Sequence, residues 1–375
     1  MIKFILSLLI LSMINGVLIS NEIKNPDKPV KGLWDFKLEK IWSVEFAGNE
    51  PLADVNKIKC DNKDNIYTYD KKHEKLFVFN SQGKYLYNIG KKGEGPGEYN
   101  YISNFYIFKK YIIIADHEKL HYFLNNGKYI KTIKVPKLYN KLPAFFISKN
   151  EFLYIPNGTN NINLYDIPIN KVKTIYGDKK NKGYKKIIES GNNVTITLVS
   201  EDKPKLIMGR QTDANIIFLG KNDIYKINSL DFNGNENFCF SIFNRTRKLI
   251  TQKIKEKKAD KMMKDFKGLS QDPKMIKKWL IKKMPDYFTF FKNIYIDKKG
   301  LVLVYVENFN KLNCQEFDVF SPDGKYIYKS RIKFPKDTII KGNGVVFNKN
   351  SIIVFLEDSE GNSKLIKYKI KLPLI

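Results

Sequence analysis

Residues 73–89 and 117–133 of this chain are near copies of each other. The first reads HEKLFVFNSQGKYLYNI and the second HEKLHYFLNNGKYIKTI, at a constant offset of 44. Each follows a strand-like run ending in aspartate, NIYTYD at Asp70 and YIIIAD at Asp116. The second half of the unit returns as FDVFSPDGKYIYKSRI at 317–332. Weaker copies are INLYDIPINKVKTIYG at 162–177 and IYKINSLDFNGNENFCFSI at 224–242. A unit that recurs every forty-odd residues cannot bury its apolar face alone, so successive copies must stack on one another.

Within each copy two alternating apolar–polar runs flank a turn, SQG, NNG, PDG or FNG. Period-two alternation broken by a glycine turn encodes a β-hairpin. Gly83, Gly127, Gly234 and Gly324 supply the positive φ that such turns need. A hairpin-rich unit of this length is the signature of a propeller blade. Six units can be counted, at about 55–89, 104–134, 145–177, 194–243, 292–333 and 344–370. The sixth has only three strands, GVVFN, SIIVFLED and KLIKYKI, while LEKIWSVEF at 38–46 stands unpaired before the first. That early strand is expected to become the outer strand of the sixth blade, which closes the ring and hides two sheet edges. The expected fold is therefore all-β, a six-bladed β-propeller over 38–375 preceded by an N-terminal linker at 21–37.

One segment breaks the β pattern. Residues 247–288 read as two helices split at Gly268 to Pro273, with Asp272-Pro273 as a helix start. Ile276, Trp279, Leu280 and Met284 make an apolar stripe at helical spacing, and lysines fill the other face. The segment is expected to be a helical insertion between blades four and five, its stripe packed on the propeller.

The first twenty residues, MIKFILSLLILSMINGVLIS, combine Lys3, an apolar run and polar breaks at Ser12, Asn15 and Gly16. That is the pattern of a secretory signal peptide over 1–20, with a loosely defined cleavage point and with retention as an anchor as the alternative. No cysteine precedes Cys60, which excludes a lipid-modified cysteine anchor. The expected destination is across the cytoplasmic membrane: periplasm, cell surface or exterior.

A formal charge of +27 invites a nucleic-acid reading, but only four of the 66 basic residues are arginine. Arginine is the residue that reads guanine and phosphate bidentately. A Lys-, Asn- and Ile-rich chain with so little arginine instead reflects compositional bias, and no specific nucleic-acid partner is expected. Cys60, Cys239 and Cys314 are odd in number and far apart, so they specify no disulfide framework or metal cluster. Sequons at Asn157, Asn193 and Asn244 occur at chance frequency in so Asn-rich a chain.

HEKLH at 117–121 matches the H-E-x-x-H zinc motif, whose histidines must share one face of a helix. The repeat argues against a helix: the equivalent positions at 73–77 read HEKLF, with Phe77 in place of His121. Asp70, Asp116 and Asp297 end or leave blade strands and could reach a central axis, but capping of turns is the commoner role of such residues. IGKKGEGPGEY at 89–99 lacks the Walker spacing and is followed by strand-like sequence. It is expected to be a tight inter-blade crossing and not a phosphate loop.

IGKKGEGPGEY, DNIYTYD and FNSQGKYL resemble the exported six-bladed propellers related to the NHL and TolB-like groups, in which a G-x-G-P-G-E-F element follows the first full blade. Tyr99 stands where phenylalanine is usual. The resemblance spans about 38–370 and implies fold and export; it implies no particular activity. The expected function is an exported, monomeric binding or scaffolding module for a protein, peptide or glycan at the propeller face. A lactonase-like hydrolase or lyase with an axial metal, and a basic protein that docks on anionic membranes, are the alternatives. No catalytic, cofactor-binding or metal-ligating residue is assigned, and the cofactor is unknown.

Overall fold

The computed structural model describes residues 22–138, 142–156, 159, 161–177, 189–190, 194–195, 206–210, 215–263, 272–297, 299–306 and 313–372. Antiparallel four-stranded blades follow one another around a ring. Blade one comprises Val55–Cys60, Ile66–Asp70, Lys75–Phe79 and Tyr85–Ile89, in sequence order from the innermost strand outward. Blade two repeats it with Asn104–Phe108, Tyr111–Asp116, Lys119–Leu124 and Tyr129–Lys134. The innermost strand of blade one touches its counterparts in blades two and six.

The middle strands are buried on both faces, as in Ile66–Asp70, because each blade is sandwiched between two others. Six of the apolar clusters among the described residues are the six blade interfaces. Tyr67 and Leu76 pack on Phe105 and Ile112 between blades one and two. Phe77 and Phe79 pack on Ile353 and Phe355 between blades one and six. In blades one, two, four and five the turn of the outer hairpin leans on the outer strand of the blade before it. At Gly234, φ is +90° and a β-carbon would fall 2.0 Å from the Ile175 carbonyl oxygen, so only glycine fits that crossing.

The ring closes as the unpaired early strand requires. Strand β3 (Glu39–Val44) lies antiparallel on Ser363–Lys369 as the outer strand of blade six, pairing Glu39 with Lys369 and Val44 with Leu365. The segment read as a linker is not one. Strand β1 (Glu22–Asn25) adds in parallel to Glu236–Ile242 of blade four, and β2 (Leu33–Phe36) adds in parallel to Tyr326–Lys333 of blade five. Residues 22–44 thus form a belt over the outer edges of three blades. Buried Asn25 stitches two of them: its side-chain amide donates to the Ser241 and Gly324 carbonyls, and its side-chain oxygen accepts from the Tyr326 amide. Edge strands are held by backbone hydrogen bonds, which explains why short, non-repeating sequences serve here.

Two blade limits differ from expectation. Blade four begins at Leu206 and not near 194, because Val194–Thr195 pairs with Glu189–Ser190 in a separate small hairpin. The first strand of blade six begins at Ile339, and its register breaks between Lys341 and Val346, where Gly342 and Gly344 take positive φ. The sequons at Asn157 and Asn193, the leader at 1–20 and Gly268 lie outside the described residues.

The insertion forms helices α1 (Gln252–Met263) and α2 (Pro273–Lys283). The Asp272 carboxylate caps α2 by accepting from the Lys274 amide at 3.0 Å, with Pro273 in the first turn. The helices rise on a two-stranded stem in which Leu249 pairs with Tyr287 and the Ile250 amide donates to the Asp286 carbonyl at 2.7 Å. Among the described residues the apolar stripe packs within the helix pair and not on the ring. Ile276 and Leu280, flanked by Trp279 and Met284, bury against Ala259, Met262 and Met263 of α1. A second amphipathic helix offers a matching face at shorter range than the blades, and the pair closes on itself.

Candidate binding face

A propeller has two unlike faces. The turn after each blade's second strand and the connection to the next blade lie on one; the remaining two turns lie on the other. The first face carries the long segments 45–54, 90–103 and 243–292 and is called here the loop face.

Buried carboxylates hold its loops. Asp70 ends the second strand of blade one and accepts the Ala53 amide at 2.8 Å and the Lys72 amide at 3.0 Å. His73 Nδ1 lies 3.2 Å from Asp70 Oδ1. Asp116, in the same place in blade two, accepts the Asn100 amide at 2.8 Å. Burial opposes ionisation of Asp116, but His121, the Asn100 amide and His117 outweigh it and hold the carboxyl below its ordinary range. Asp297 lies at the other end of its blade, in the turn after the first strand of blade five. It accepts the Lys299 and Leu301 amides at 2.9 and 2.7 Å, and burial pushes its carboxyl up. The three aspartates therefore do not converge on an axis; each fixes a turn or loop.

The HEKLH residues do not form a helix. His117 sits in a turn at φ 47° and is exposed, whereas His121 is a buried strand residue paired with Ile114 and Thr132. Its Nδ1 lies 2.9 Å from Thr132 Oγ1. The glycine stretch folds back on itself as a crossing. Lys91 and Lys92 pair with Glu98 and Tyr99, and the Glu98 carboxylate takes the Gly95 amide at 2.9 Å, an amide that a phosphate loop would leave for its ligand. The Tyr99 ring is buried and its hydroxyl donates to the Ile89 carbonyl at 3.2 Å.

Exposed large apolar side chains are unevenly distributed. Phe46, Tyr101, Leu142, Ile224, Phe243, Leu249 and Tyr287 all lie on the loop face; among the described residues the blade turns of the opposite face expose Ile169, and the N-terminal belt and outer strands expose Val30, Leu33, Ile41, Leu86, Ile130 and Val172. None of the loop-face residues was legible as a site. They sit in connections, where no periodicity tells an inward from an outward residue. Beside them stands the arm: residues 247–288 hold 14 basic and 5 acidic side chains, a net +9.

Stacked antiparallel blades closed by a strand from the N-terminus define a β-propeller, here with six blades. The chain belongs to the DUF5128 family of six-bladed β-propellers, whose model matches residues 47–329. Its fold is similar to that of a DUF4221 family member from Bacteroides vulgatus, at 12% identity and a TM-score of 0.57, with 91% of this chain and 99% of that one covered. It is also similar to a Bacteroides fragilis protein inferred to be exported, at 14% identity and a TM-score of 0.51, with 94% and 99% covered. No curated protein matches the chain.

Proposed function

We propose that this protein is an exported, monomeric and non-catalytic binding module that presents its loop face to a protein, peptide or glycan. The observation that carries this is the cluster of exposed apolar side chains in the connections of that face, two of which, Phe46 and Tyr101, stand on loops pinned by Asp70 and Asp116. Pre-fixed loops lose little entropy on binding, and clustered exposed apolar groups mark contact surfaces. The same buried aspartates are committed to backbone amides, which argues against a lactonase-like hydrolase. Export rests on the 1–20 pattern, and among the described residues no helix is long and apolar enough to cross a membrane. Kinship to the NHL and TolB-like groups rests on the GEGPGEY element. Docking of the arm on an anionic surface is a second role, favoured by its net +9 charge.

Peptide and glycan arrays probed with the protein and with a Phe46→Ser/Tyr101→Ser/Phe243→Ser variant test the proposal. Saturable binding that the variant weakens at least about tenfold, with the bound molecule recovered unchanged, is expected. Chemical turnover of a bound probe that Asp70→Asn abolishes would overturn it. Fusion of residues 1–20 to a reporter active only outside the cytoplasm tests export, and an inactive fusion would refute it.

A further inference from the structure

The innermost strands of the six blades, which line the centre of the ring, carry Lys57, Lys59, Arg210 and Lys341 and not one aspartate or glutamate. Lys341 has a partner on the next strand, Glu357, at 2.9 Å. Lys57 and Lys59 make no ion pair among the described residues, although the chain has 39 acidic residues and pairs many surface lysines with them. Both lie on Val55–Cys60, two residues apart, so they point to the same side with their stems about 7 Å apart. Each is half-buried.

Their surroundings are aromatic. Lys57 Nζ lies 5.7 Å from the centre of the Tyr69 ring. Lys59 Nζ lies 5.1 Å from the Phe105 ring and 4.6 Å from the Tyr106 ring, and it donates one hydrogen bond to the Phe105 carbonyl. The buried Tyr106 hydroxyl, with Asn104 beside it, makes no well-formed hydrogen bond. Ring faces soften the burial of a cation but do not neutralise it. Burial, then the repulsion of Lys57, draws the Lys59 ammonium down to about 7. Burial, then Lys71, also lowers Lys57. Two like charges held side by side and desolvated are costly, so Lys59 sheds its proton readily unless an anion completes the site and holds both ammonium groups charged.

We propose that Lys57 and Lys59 form an oxyanion-binding site on the central wall of the propeller, taking a carboxylate or phosphate group of a small ligand. Lys59 has two N–H donors beyond the one given to Phe105, and Lys57 supplies a second cation from the same side. The site is distinct from the loop face, so either can fail without the other.

Competitive labelling of the unliganded protein with limiting acetic anhydride at pH 7.5, read by peptide mass spectrometry, tests this. Lys59 is expected to label on the order of tenfold faster than exposed lysines, because far more of its amine is neutral. Inorganic phosphate or acetate at ten times its dissociation constant should slow that labelling about tenfold. The anion that protects at lower concentration identifies the chemistry. Lys57→Met, which removes the more solvated cation, should fold normally and lose the protection. Labelling of Lys59 at the bulk lysine rate, or labelling unaffected by either anion up to high millimolar concentration, would overturn the proposal. So would protection that persists unchanged in Lys57→Met.

Discussion

The indole of Trp42 lies flat against Gly83, so near that a β-carbon on Gly83 would fall 2.8 Å from the ring, and its Nε1 donates to the Ser81 carbonyl at 3.0 Å. Trp42 belongs to the N-terminal strand that completes blade six; Gly83 turns the outer hairpin of blade one. This contact is where the two ends of the ring are fastened.

Gly83→Ala should therefore open the closure. Gly83 holds φ +82° as well as the tight contact. The left-handed conformation costs about 1–2 kcal/mol for a non-glycine residue, and overpacking adds about 1–3 kcal/mol. A lowered Tm with faster hydrogen exchange in β3 is expected. Deletion of residues 38–46 should be more damaging still. An unchanged Tm in both variants would contradict fastening at this point.

Asp116 should give the fold a pH dependence. Its folded pKa lies below the unfolded value, so its contribution is fully present above about pH 4–5 and fades as pH falls through the folded value. Asp116→Asn should cost about 1–3 kcal/mol at pH 7 through weakened acceptance of the Asn100 amide. The deficit should shrink as pH falls, because the wild-type carboxyl becomes neutral too. Urea unfolding at pH 7 and pH 3.5 measures both; a deficit that grows on acidification would refute the assignment.

His121→Phe copies the residue that blade one carries at the same position, Phe77. His121 and His117 lie on a strand and in a turn and do not share a helix face. The variant should keep its circular dichroism and lose about 1–3 kcal/mol with the Thr132 and Asp116 contacts, while the fold is retained. Stoichiometric zinc in purified wild-type protein that vanishes in the variant would show that the strand geometry has been misjudged.

Leu280→Ala should unfasten the arm and spare the propeller. Leu280 is buried, but its apolar neighbours belong to the helix pair. Loss of about 2–4 kcal/mol exceeds what a two-helix hairpin can absorb. Amide protection across 252–283 should collapse while that of the blades persists. A matching loss of protection in blades four and five would mean that the arm is docked on the ring after all.

Much of this architecture is written in the chain. The 44-residue offset, the alternation within each hairpin and the glycines at the outer turns specify blades, because they are local properties of strands and turns. The three-stranded sixth blade beside an unpaired LEKIWSVEF also specified the closure, since an open ring leaves two edges unsatisfied. Other features depended on long-range partners. EIKN and LWDF became strands only because outer edges of blades four and five were free to pair with any backbone. The stripe on α2 was plain at helical spacing, yet its partner was set by which apolar face lay nearest. Asp70, Asp116 and Asp297 read alike in sequence; packing placed two at one end of the blades and one at the other. Lys57 and Lys59 are two lysines among many until the ring closes around them and removes the water that would have screened their charge.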